Sequence, residues 1–162
     1  MIEVHYDNFN DEYYINYPIE NQTLHMAIQC TDFDELNKKT YFNIYLSIYN
    51  KRKDAISNEE NARSTGRSIF KSYVGAKRCF KILLGAVLEE LTPNDTYFIY
   101  CCWADNRRRD AYYKFLSKYG FKYGTLPFDN KKVIIKKFTG DKRNEYLSSL
   151  QDRSAFRNLD DL

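Results

Sequence analysis

Arg63-Ser64-Thr65-Gly66-Arg67-Ser68 is the stretch whose residue types and spacing best suit a chemical task. It opens a long helical pattern. A helix N-terminus presents unpaired N–H groups and partial positive charge, which together bind phosphate. Gly66 lets the backbone approach a pyrophosphate closely. Arg63 and Arg67 flank it and can add charge-assisted hydrogen bonds, each worth about 1.5–3 kcal/mol net. Three such bonds supply much of the roughly 8 kcal/mol behind a micromolar dissociation constant. An ordinary capped helix with solvated arginines has the same residues, so the stretch permits a phosphate ligand without requiring one.

Tyr112 and Tyr113 can each donate a proton to a leaving group, since a phenol has a reference pKa near ~10. They point about 100° apart on a helix, so only one can face a given atom. Arg107, Arg108 and Arg109 crowd a helix's first turn, where the dipole disfavours cations. Such a cluster suits an anionic partner, nucleic acid included, or a solvated face. His5 and His25 have no carboxylate pattern around them, and Cys30, Cys79, Cys101 and Cys102 form no C-x-x-C pair. No metal site is predicted, and the cysteines read as reduced, buried thiols.

These side chains need elements to position them. Tyr13–Tyr17, Thr23–Cys30 and Tyr41–Tyr49 alternate with the period of strands. The last has Phe42, Ile44, Leu46 and Ile48 on one side and Tyr41, Tyr45 and Tyr49 on the other, which predicts a central strand. A polar loop follows over Lys51–Ala62. Ile69, Tyr73, Ala76, Phe80, Leu83, Val87 and Leu91 then step by three or four, one face of a long helix capped by Ser64 or Thr65 and stopped before Pro93. Tyr97–Trp103 is a buried strand that sends Cys101 and Cys102 to opposite faces. Asp105 or Asn106 caps a second helix that ends at Gly120 in left-handed conformation. Phe121–Tyr123 and Val133–Phe138 are two further strands. The class is α/β, or mixed α+β. One domain is expected over residues 1–138, with a C-terminal extension over 139–162 that forms a short helix and then frays.

Composition narrows the functions further. With 162 residues, 43% of them hydrophobic, the chain can bury a core without disulfides or metals. No apolar run nears the ~20 residues of a membrane span. The N-terminus lacks the basic start and apolar core of a signal peptide, which predicts a cytoplasmic protein with no membrane partner. Charge is polarised along the chain. Residues 1–40 hold eight acids against two lysines, and residues 63–137 hold sixteen Lys and Arg against six acids. The basic stretch suits a nucleic acid or a phosphate-rich cofactor, or else a solvated face. Asp32, Asp34 and Glu35 suit a basic amine, or else a solvated loop.

The segment Tyr97–Gly124 resembles the GCN5-related N-acetyltransferase (GNAT) superfamily. There the fifth strand runs into a D-N-x-R-type helix start, then an aromatic helix, then a Gly-Phe turn into the sixth strand. The counterparts here are Ile99–Trp103, Asp105-Asn106-Arg107-Arg108, Tyr112-Tyr113 and Gly120-Phe121. The family's pyrophosphate signature, R/Q-x-x-G-x-G/A, is matched by Arg63–Ser68, except that Ser68 stands where the family has Gly or Ala. The resemblance covers roughly residues 40–138.

It implies a central mixed, mostly antiparallel sheet with one long cofactor-side helix and a second helix after the fifth strand. It also implies transfer of an acetyl group from acetyl-CoA to an amine of a protein or small molecule. Arg63, Ser64, Thr65, Gly66, Arg67, Ser68 and Asn106 would bind the cofactor. Backbone N–H groups over Ile48–Asn50 would polarise the thioester carbonyl. Tyr113 keeps the family's spacing from Asn106 and is the expected general acid, with Tyr112 second. The usual Tyr four residues before the helix-ending Gly is Leu116 here. The alternative is an inert domain of the same fold that binds a protein or, through Arg107, Arg108 and Arg109, a nucleic acid.

Overall fold

The computed structural model describes residues 2–19, 22–49 and 67–160, with side chains over 2–19, 22–47 and 75–151. Seven strands form one sheet: β1 (His5–Asp7), β2 (Glu12–Ile19), β3 (Gln22–Asp34), β4 (Lys39–Tyr49), β5 (Thr96–Cys101), β6 (Lys122–Thr125) and β7 (Lys132–Thr139). Their spatial order is β1-β2-β3-β4-β5-β7-β6. Every pair is antiparallel except β4 with β5, which run parallel. A parallel pair needs a long crossover. The chain supplies it with α1 (Arg67–Leu88), while α2 (Asn106–Leu116) follows β5 and α3 (Arg143–Asp160) follows β7.

Turn chemistry sets the hairpins. Asp7 Oδ1 accepts from the Phe9 and Asn10 amides, and Asp11 beside them takes φ 50. Asp34 accepts from the Asn37 amide before Lys38 at φ 56, and Asp129 accepts from Lys131 N after Pro127 and before Asn130 closes its own turn at φ 58. Short Asp and Asn side chains that hydrogen-bond nearby backbone are what such turns require. Pro18 sits inside β2 without harm. Among the described residues β1 pairs only with residues 12–14, so β2 is an edge from Ile15 onward, the kind of strand in which proline is tolerated.

The strand parity expected from sequence holds. Phe42 and Ile44 are buried on one face, with Leu46 packed against them, in a cluster with Ile15, Leu24, Met26, Ile28, Ile99 and Ile134. Onto this face α1 lays Ala76, Cys79, Phe80, Leu83, Leu84, Val87 and Leu88. The aromatic residues weld the helices together. The Phe80 ring meets Phe115 at 5.4 Å, Tyr119 at 5.0 Å and Phe121 at 5.9 Å, all edge-on. Gly120, at φ 91, ends the helical turn that follows α2.

The opposite face carries a second, smaller cluster of Tyr41, Tyr100, Leu126 and Val133, with Phe98, Cys102 and Ile135 beside it. All three described helices contribute to the larger cluster and none to the smaller one. Cys101 and Cys102 do part to the two faces.

The helix expected after residue 139 is α3, Arg143–Asp160. Its Tyr146, Leu147 and Leu150 recur at helical spacing and pack on the main core, with the Tyr146 ring 5.0 Å from Phe138. Gly140 makes the entry into α3 feasible, because a Cβ there would lie 1.7 Å from Thr92 O.

Candidate functional site where the parallel strands part

β4 and β5 pair only over Lys39–Ile44 and Thr96–Cys101. β5 then stops, while β4 continues to Tyr49 and stays paired with β3 throughout. From Tyr45 to Tyr49, β4 therefore has a strand on one side only among the described residues. Five residues at about 3.3 Å each leave roughly 16 Å of strand edge open in the middle of the sheet. Its backbone groups can pair with an extended ligand, as at a free sheet edge. Ligands of open sheets with parallel strands collect at such carboxyl ends.

The N-terminal half of α1 lies at the same end of the sheet. Gly75 packs against Tyr17 and Ile19, whose β3 partners Leu24 and Gln22 flank the Thr23–Tyr49 pair at the end of β4. The helix starts eight residues earlier, at Arg67, about 12 Å further along its axis. Of the residues assigned to cofactor binding, Arg67 and Ser68 fall in the first turn of α1, and Ile48 falls in the open stretch of β4 opposite Leu24. Arg63, Ser64, Thr65, Gly66 and Asn50 lie outside the described residues.

Past the end of β5, Asp105 caps α2: its Oδ1 accepts from Arg108 N at 2.8 Å, and its Oδ2 pairs with Arg108 Nη1 at 2.6 Å. Asn106 is the exposed first residue of that helix. The two tyrosines divide as helical geometry demands. Tyr113 stacks on Tyr123 of β6, ring centres 4.3 Å apart and planes within 6°, with Trp103 edge-on to the same ring. Tyr112 instead turns toward Cys101, the last residue of β5, and Arg108. Burial, with Cys101 and Asp105 nearby, pushes its phenol up to about 12 against the pull of Arg108. It stays protonated at any physiological pH, the state a proton donor needs.

Arg108 thus serves the cap, and Arg109 pairs with Asp110 at 3.0 Å, so two of the three clustered arginines engage carboxylates, one at the cap and one within the helix. Asp34 closes the β3–β4 turn, at the opposite end of β4 from the gap, and Asp32 beside it is exposed. Burial raises the Cys79 thiol to about 12 and the Cys101 thiol beyond the ordinary range, so neither is a nucleophile. Among the described residues no helix is long and apolar enough to cross a membrane, and no three His, Cys, Asp or Glu side chains converge on a metal position.

One group of residues had no signature along the chain. On the face opposite the described helices, Asn16, His25 and Ser47 stand side by side on β2, β3 and β4. Each stands between apolar or aromatic neighbours of its strand, Asn16 between Ile15 and Tyr17, His25 between Leu24 and Met26, and Ser47 between Leu46 and Ile48. That is a signal in retrospect, but only pairing register joins the three. No family model, no curated protein and no solved structure matches this chain.

Proposed function

We propose that the chain is an acetyl-CoA-dependent N-acetyltransferase of the GNAT type, acting on an amine. The observation that carries this reading is the stretch of β4 beyond Ile44 left open among the described residues, at the parallel β4–β5 junction, with the start of α1 at the same end. A cofactor with amide groups in an extended arm and a pyrophosphate at one end matches both features. The β4 edge would hold the arm, and the α1 N-terminus would hold the phosphates. When bound, acetyl-CoA supplies an activated thioester.

The chain's own residues do the rest. Backbone N–H groups near Ile48 polarise the carbonyl, and the strand edge fixes the direction of attack. A tyrosine of α2 protonates the departing sulfur. Tyr113 has the family spacing, yet its ring is committed to Tyr123. Tyr112, beside the end of β5, is the better-sited acid in this reading.

Calorimetry with acetyl-CoA tests the proposal. Saturable binding near micromolar is expected, weakened at least about tenfold by Gly66→Asp with thermal stability little changed, because the new carboxylate repels a pyrophosphate but not the helix dipole. Absence of binding at millimolar cofactor would remove the reading. Binding without transfer to any amine would leave the inert-domain alternative.

A further inference from the structure

β7 carries a charge where its pattern calls for an apolar residue. Ile134, Lys136 and Phe138 share the sheet face that packs on the helices, since alternate residues of a strand point the same way. Ile134 and Phe138 are buried there, and Lys136 between them is half-buried. Its Nζ donates to Tyr119 O at 2.7 Å and stands 4.9 Å from the centre of the Phe138 ring and 5.6 Å from that of Tyr146. Ring faces attract cations, so these contacts hold the ammonium inside the fold. Gly120 leaves the room, because a Cβ there would lie 2.9 Å from Nζ. An ammonium has three N–H donors, and Tyr119 O takes one of them. No carboxylate among the described residues pairs with it. Burial lowers its pKa from the ordinary lysine value, as expected of a cation short of a counter-charge.

Lys136 lines a cavity of about 170 Å³ between β7, α1 and α3. Leu84 and Leu88 of α1, Phe138 of β7, and Tyr146 and Leu150 of α3 form its apolar walls. The other charged groups on it are Lys118 and Glu145, both exposed. Their signs oppose, so the lining carries the single positive charge of Lys136. That favours a monoanion, and Glu145 at the rim disfavours a second negative charge. A cavity of about 150 Å³ lined by Leu, Ile and Phe accepts benzene, so this one has room for a body of that size. None of its lining residues belongs to the open stretch of β4 or to the first turns of α1.

We propose that this cavity binds a small monocarboxylic acid: the carboxylate accepts from the Lys136 ammonium, and an aromatic or branched apolar body lies against Leu84, Leu88 and Leu150. The site is separate from the acetyl-CoA cleft and does not depend on acyl transfer. Lys136 fixes the head of the ligand, and the volume of the cavity limits its body.

The probe is phenylacetate, titrated into the full chain by calorimetry and followed by NMR at the Lys136 side chain and the Leu84 and Leu150 methyl groups. Saturable binding is expected with a dissociation constant on the order of 1 mM, in keeping with roughly ten non-hydrogen atoms. The Lys136 titration midpoint should rise on binding, because a carboxylate favours the charged form. A lysine that served only to anchor Tyr119 O would not respond. Lys136→Met, which keeps the apolar stem, should weaken binding at least about tenfold. Phenylacetamide has the same shape without the charge and should bind the parent chain at least about tenfold more weakly. That comparison stands even where Lys136→Met fails to fold. No saturation below about 100 mM would overturn the site, as would equal affinity for phenylacetamide or an unmoved Lys136 midpoint. Tighter binding of Gly-Gly-Phe than of phenylacetate would reassign the cavity to a peptide C-terminus and overturn the small-acid reading.

Discussion

Tyr112 and Tyr113 are neighbours in sequence and strangers in space. About 100° of helix separates them, enough to put one ring on the β6 edge and the other at the end of β5. Under the proposed mechanism Tyr112→Phe lowers kcat by about 10²–10⁴, the range of general acid catalysis, while acetyl-CoA affinity holds. Tyr113→Phe keeps the ring stack and should change kcat by less than about twofold. CoA release in the presence of n-propylamine measures both, and reversed effects would return the acid role to Tyr113. Asp34 offers a separate check on turn chemistry. Hydrogen bonds from the Asn37 side chain and backbone hold its carboxyl below the usual carboxylate range. A depressed carboxylate pKa stabilises the fold above the unfolded value near ~3.9, and that contribution fades as pH falls through the folded value. Asn37→Ala should therefore raise the Asp34 titration midpoint seen by NMR, with the change confined to acid pH.

α2 shows how one element can carry structure and chemistry together. Its first turn holds three arginines and no acid, a poor match to the helix dipole. Asp105 compensates from outside the helix, taking the Arg108 amide and guanidinium at once. Asp105→Ala should cost about 0.5–2 kcal/mol in chemical denaturation, the usual penalty for a lost cap. Tyr112 shares Arg108, so the same variant should also disturb the proposed acid. Asp105→Ser, which keeps the cap but not the charge, should recover most of the stability. If Asp105→Ala unfolds no more readily than the parent chain, the cap is not what starts α2.

At the scale of the molecule, the described helices pack on one sheet face, and among the described residues the other carries a cluster of strand residues with Leu126 of the β6–β7 loop. The far end of the sheet is closed tightly. There β7 turns into α3 at Gly140, whose amide donates to Asp95 O at 3.0 Å while the backbone of Thr92 and Pro93 passes alongside. Gly140→Ala puts a methyl group into fixed backbone and should destabilise by about 2–4 kcal/mol, or block folding, as read by urea unfolding. Stability within about 0.5 kcal/mol of the parent would mean that the junction yields easily.

The sequence alone determined the elements and their faces. Phe42, Ile44 and Leu46 alternate against Tyr41 and Tyr45, Phe80 and Leu83 recur at helical spacing, and Asp105 and Gly120 mark the bounds of a helix, because local period and turn chemistry are properties of neighbouring residues. Only tertiary structure decided what those faces meet. Sequence leaves strand register open, and register is what brings Asn16, His25 and Ser47 into one row across thirty-one residues of chain. What α3 packs on belongs to tertiary structure too: Tyr146, Leu147 and Leu150 gain their meaning from α1 and Phe138 rather than from their own propensity. The open end of β4 has no sequence mark at all. Among the described residues it exists because β5 stops at Cys101 while β3 keeps β4 extended to Tyr49, a difference between two distant strands.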